Sequence, residues 1–140
     1  MIGDHVFECC KCLTRVKFQV GSRLQTIGFR CFANSGLEEF VAPSKLREIG
    51  PEAFWECTWL KRVTLNEGLE VMADKGKFGD IYGVFEHSGI KAITLPSTLK
   101  EIGRLAFSEC PNLKTIYVKS GCQADLSELC MFTSVKIVRL

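Results

Sequence analysis

The chain has 140 residues, 46% hydrophobic and 24% charged, with a formal net charge of +2. That length suits one compact core and hardly two domains, the composition excludes a disordered chain, and so small a charge leaves no footprint for nucleic acid or an anionic membrane. No apolar run approaches the ~20 residues that cross a bilayer, so no membrane insertion is expected.

The chain opens with "MIGDHVFECC", where acidic Asp4 stands in place of the lysine or arginine of an export signal, so no export signal is read there. A strand-like segment, L-x-x-V/I/F-x-apolar, then recurs: "LTRVKF" from Leu13, "LEEFVA" from Leu37, "LKRVTL" from Leu60, "IKAITL" from Ile90, "LKTIYV" from Leu113 and "VKIVRL" from Val135. The starts are 24, 23, 30, 23 and 22 residues apart. A second strand interleaves with it, as "LQTIG", "LREIG", "LEVMA" and "LKEIG". A third block carries phenylalanine after a small or β-branched residue: Phe7, Phe32, Phe54, Phe85 and Phe107. One coil is thus two short strands and a turn, and the turn is read as helical. Such a coil cannot bury its own apolar residues, whereas stacked coils make a continuous core. The phenylalanines are expected to form an internal column, continued by Leu129.

This pattern resembles the BspA-type leucine-rich repeat, with "LPSTLKEIGRLAFSECPNLKTIYV" close to the consensus and the resemblance covering almost the whole chain. The resemblance implies a mainly β solenoid, here of about six coils, and a non-enzymatic role in protein interaction or adhesion, commonly at a cell surface. Residues 1–140 read as one solenoid domain that starts in mid-coil and ends on a bare strand, as a fragment of a longer array would.

Eight cysteines invite a disulfide or zinc reading. Cys10, Cys57 and Cys110 share one register in alternate coils, with Ser35 and Ser88 in the coils between. Alternate coils sit about 10 Å apart and a disulfide needs Cα atoms within about 7 Å, so these three are read as buried unpaired thiols, as is Cys31. "CCKC" from Cys9 to Cys12 is a single C-x-x-C without a partner pair, leaving surface or packing thiols ahead of metal for Cys9, Cys12, Cys122 and Cys130. Unpaired thiols point to a reducing compartment and the family to a surface, so localisation stays open. His5 and His87 fall in different turns with no nucleophile motif. No catalytic residue, metal or cofactor is expected.

Partner contacts are sought on the outward side of the L-x-x-V-x-L strand, whose residues alternate inward and outward. One outward column reads Arg15, Glu39, Arg62, Ala92, Thr115 and Ile137; the other reads Lys17, Val41, Thr64, Thr94, Tyr117 and Arg139. Lys61, Lys91, Lys114 and Lys136 recur at one repeat position, as a basic stripe or as edge protection. Trp55 and Trp59 correspond to Ser108 and Asn112, Ala33 and Gly36, and Glu86 and Gly89 in sister coils, which reads as solvent-facing. On a helical turn residues four apart share a face, so the pair is either an interface anchor or a patch covered by the coil-three insertion, "DKGKFGDIYG" at 74–83. That insertion offers Lys75, Lys77, Phe78 and Tyr82 as a binding loop or a plain surface loop; neither G-x-x-x-x-G-K-S/T nor G-x-G-x-x-G occurs in it. The partner is expected to be a protein or a glycan, with self-association as the alternative.

Overall fold

The computed structural model describes residues 1–72, 82–129 and 134–140. In chain order the strands are β1 (Thr26–Ile27), β2 (Glu39–Val41), β3 (Glu48–Ile49), β4 (Arg62–Thr64), β5 (Val71–Met72), β6 (Ala92–Leu95), β7 (Glu101–Ile102), β8 (Thr115–Val118) and β9 (Lys136–Arg139). The two strand types of the repeat build two separate parallel ladders. Strands β1, β3, β5 and β7 pair in that order, extended by a bridge from Ile2 to Ile27. Strands β2 and β4 pair, β6, β8 and β9 pair, and β4 packs beside β6. The protein is a mainly β solenoid. Four turns are closed by the β1–β3–β5–β7 ladder, fewer than the six of the sequence template, because the first repeat enters only through bridges and the last through β9.

The core follows from period-two burial. In β8, Ile116 and Val118 point inward while Thr115 and Tyr117 point outward. Between the ladders runs the phenylalanine column: Phe7, Phe32, Phe54, Phe85 and Phe107 stack in sequence, with centroids 5.3, 5.4, 5.1 and 5.8 Å apart and planes within 10° of parallel. Leu129 is buried at its far end. Phe40 takes the β-branched place of its strand and packs 4.7 Å from Phe54, joining the column to the second ladder.

The turn after each phenylalanine is not the helical turn expected. An α-helix turns its amides onto its own chain, but here every second amide reaches the next coil. Phe7, Phe32, Phe54 and Phe85 donate to the carbonyls of Cys31, Ala53, Val84 and Ala106 at 2.8–2.9 Å. Between them, Ala33, Ser35, Trp55 and Cys57 close turns onto the residue three before. Two residues after each phenylalanine the backbone is left-handed: Cys9, Asn34, Glu56, His87 and Glu109 have φ between 52° and 60°. A non-glycine residue there is strained. In the first four, the same residue's amide is paired across coils, at 2.7–3.2 Å.

Coils alternate in kind. Cys10, Cys57 and Cys110 are followed by two residues before the strand leucine, whereas Ser35 and Ser88 are followed by one glycine. A Cβ on Gly36 would lie 2.1 Å from the carbonyl oxygen of Lys11, and one on Gly89 2.4 Å from that of Thr58. The glycine lets a shorter coil pack against the extra residue of its neighbour.

The last strand departs from the sequence frame. Lys136, Ile137, Val138 and Arg139 stand opposite Thr115, Ile116, Tyr117 and Val118. Ile137 therefore faces the core and Val138 takes the outward place assigned to Arg139, a one-residue shift that reverses facing. Lys136 lies across Thr115 rather than Lys114, although its amide still donates to the Lys114 carbonyl at 3.0 Å.

Candidate partner-binding face

The β4–β6–β8 face presents the expected columns. Arg62 and Thr64 of β4 are exposed, Thr94 of β6 and Thr115 of β8 are half-buried, and Tyr117 is 37% exposed. Lys61, Lys91 and Lys114 are exposed just ahead of these strands, and Lys136 at the start of β9. Arg62 lies 3.6 Å from Glu39. A groove of about 480 Å³ opens where this face meets the first coils, lined among others by Arg15, Lys17, Glu39 and Val41.

The tryptophans are not one patch. Sister residues of Trp55 are buried: Ala33 is 0%, Ser108 7% and Glu86 8% exposed. Their small or polar character marks a tight position between coils, not a solvent-facing one. Trp55 is itself half-buried. It stacks on Tyr82 at 4.9 Å, and the Arg30 guanidinium lies 4.7 Å over its ring. The insertion end thus covers Trp55. Trp59 is 62% exposed, so it alone remains available. Lys75, Lys77 and Phe78 lie outside the described residues.

Sequence reasoning missed the charged layer on the turns. Arg30 Nε lies 3.2 Å from Glu8 and 3.3 Å from Glu52. Burial pushes the Glu52 carboxyl above its ordinary range, against the pull of Arg30. Burial likewise raises Glu86, whose Oε2 accepts the Gly83 amide at 2.7 Å. No consistent signal announced these residues: glutamate follows the column phenylalanine at Glu8 and Glu86 but alternates with Ala33, Trp55 and Ser108, and Arg30 and Glu52 each occur once at their place.

The ladder thiols pack as small core groups, though only Cys57 is fully buried; Cys10 and Cys110 are half-buried. Cys57 Sγ lies 3.1 Å from the Phe32 carbonyl and 3.6 Å from Ser35 Oγ. Cys110 repeats this with Phe85 and Ser88 at 3.1 and 3.5 Å. Burial pushes the Cys57 thiol up to about 11 and that of Cys31 up to about 12, which makes neither a nucleophile. Cys9 and Cys12 are exposed, and Cys130 lies outside the described residues. Among the described residues no group of three His, Cys, Asp or Glu side chains could hold a metal ion, and no helix is long and apolar enough to cross a membrane. His5 and His87 both occupy left-handed turn positions. His87, Glu109 and Cys110 line one cleft, where the thiol is committed to the Phe85 carbonyl.

No curated protein matches this chain. Among solved structures it is similar to a leucine-rich repeat protein from Bacteroides ovatus, at 18% identity and a TM-score of 0.43. That likeness covers 99% of this chain and 52% of the other, so the chain spans about half of that protein's length. The model of the BspA type leucine rich repeat region matches residues 1–76 and 82–139 in six copies. With its two ladders and phenylalanine column, the chain belongs to the BspA-type leucine-rich repeat family.

Proposed function

We propose that this chain is a non-enzymatic protein-interaction module, binding a protein partner through the outward face of β4, β6 and β8. The observation that carries this reading is the mixture on that face. Half-buried Thr94 and Thr115 offer hydroxyls, Tyr117 and Trp59 offer aromatic surface, and arginine and lysine surround them. Aromatic and arginine side chains are the groups enriched at interface centres. Adhesion is one use of such a face.

Selection of peptides from a random displayed library on the folded chain tests the reading. Thr115→Arg with Tyr117→Ala should weaken the selected ligands by roughly thirtyfold, as loss of an interface anchor does, and leave thermal melting unchanged. Ligands indifferent to both changes would place binding elsewhere. Exposed Trp59 favours one second reading, self-association. Light scattering of Trp59→Asn, the residue of coil five, separates the two: a dimer that dissociates supports association between copies, and a monomer before and after excludes it.

A further inference from the structure

From Leu60 onward, the outer ladder carries Lys61, Arg62, Lys91, Lys114, Lys136 and Arg139 and no acidic residue in its strand segments; Lys61, Lys91 and Lys114 form the row, and Lys136 stands one place along the strand from it, across from Thr115. All six are exposed. Two basic residues on the β1–β3–β5–β7 ladder are neutralised in place: Glu70 holds Arg47 at 2.5 Å and Lys100 at 2.8 Å; at the corner after the outer strands, Glu67 holds Lys119 at 2.7 Å. Among the described residues, no carboxylate lies within ion-pair distance of Lys61, Lys91, Lys114 or Lys136. The turns carry both signs: Arg30 lies between Glu8 and Glu52, and Glu52 and Glu86 are buried. The net charge of +2 therefore understates the local excess of basic residues on the outer ladder.

Edge protection does not account for this row. Lysine blunts the unpaired edge of a sheet, but Lys91 and Lys114 precede β6 and β8, and β8 is paired on both sides. Coils stack at the 5.1–5.8 Å spacing of the phenylalanine rings, so successive ammonium groups repel one another, to an extent set by screening. Each side chain has solvent to spread into, yet the row is left without the counter-charge that Glu70 supplies to Arg47 and Lys100 at the matching place of the other ladder.

We infer that the partner of this face is an acidic polypeptide segment, extended along the solenoid axis with carboxylates on the lysine row. This rests on the interaction reading above and names its partner's chemistry. An extended chain presents same-side residues about 6.6–6.8 Å apart, and flexible lysine stems absorb the difference from the coil spacing. Trp59, two residues before Lys61, and Tyr117, beside the threonines, favour a polypeptide over a plain polyanion. Aromatic surface adds nothing to counter-ion exchange but anchors protein interfaces.

The probe is a fluorescent peptide of alternating glutamate and tyrosine, about ten residues long, enough to cross four coils. Fluorescence anisotropy is read at low and physiological salt. Binding should weaken as salt rises. Lys91→Glu with Lys114→Glu should weaken it by about tenfold or more, as reversal of interfacial charges does, and Lys91→Gln with Lys114→Gln should do so less. Lys45→Glu, the same charge change on an exposed residue off the row, should leave it within about twofold. Equal losses in the Lys45 variant would reduce the effect to net charge and overturn the proposal. So would binding of a sulfated polysaccharide through the lysine row with none of the peptide. Library-selected ligands that hold the face without an acidic excess overturn the acidic partner and leave the interaction module standing; ligands absent from the face remove both.

Discussion

Glu86 sets a buried carboxylate against a required hydrogen bond. It is 8% exposed, and its Oε2 holds the Gly83 amide where the insertion rejoins the coil. Burial raises its folded pKa above the unfolded value, so the folded chain holds that proton more tightly. Its contribution is therefore fully present below the unfolded pKa and lost as pH rises through the folded one. Glu67 and Glu70 oppose this. Hydrogen bonds from Lys119 and from Lys100 lower them, and their contribution is lost as pH falls through the folded pKa. Glu86→Gln keeps an oxygen for Gly83 without the charge. Urea melts at about pH 7 should find it as stable as the parent or more so, with a smaller gain on moving to about pH 5. Glu86→Ala should cost about 1–2 kcal/mol at either pH, the scale of an orphaned buried amide. A Gln variant less stable than the Ala variant would mean that the charge itself is needed. The phenylalanine column was legible because five copies repeat it. Glu86 was not, since Ala33 and Ser108 fill the same place with no hint of burial.

At the scale of the element, the turns were the least legible part. A four-residue spacing, as between Trp55 and Trp59, fits one helical face equally well as a run of tight turns, and the left-handed residues flanking the phenylalanines are His5, Cys9, Arg30, Asn34, Glu52, Glu56, His87 and Glu109, with no glycine to mark them. Needing half its amides for the next coil, the backbone gives up the helix. Strand β9 pairs with β8 at a separation of 21 residues, Thr115 to Lys136, where the step in the sequence frame is 22. Gly89 is a sharp test of this geometry, since an added Cβ meets the Thr58 carbonyl at 2.4 Å. Gly89→Ala should destabilise by roughly 1–3 kcal/mol, the range for overpacking against backbone. Asn112→Ala, at the corresponding exposed position of the longer coil, should stay within about 0.5 kcal/mol. Equal costs in denaturant melts would contradict the alternation of coil types.

Across the whole molecule, thiol accessibility reports how the stack opens, because coils contact only their neighbours and solenoids can unfold from an end. Cys9 and Cys12 should label at once in the native chain, and Cys31 and Cys57, both fully buried, only on unfolding. Half-buried Cys10, Cys110 and Cys122 should fall between. Mass spectrometry of timed alkylation reads this order, and native labelling of Cys57 as fast as Cys9 would contradict the packing. The sequence frame located these thiols by register but overstated the burial of Cys10 and Cys110, which lie nearer the ends of the described stack. Alternation of the two turn lengths also has a consequence of parity. A cysteine coil fits against a serine-glycine coil and not against its own kind, so the unit of translation is a pair. Deleting or duplicating one coil of about 23 residues would bring like against like, with two long turns or two glycines in register. Removing or adding two together keeps the phase, and an array of this type should lengthen and shorten in even steps.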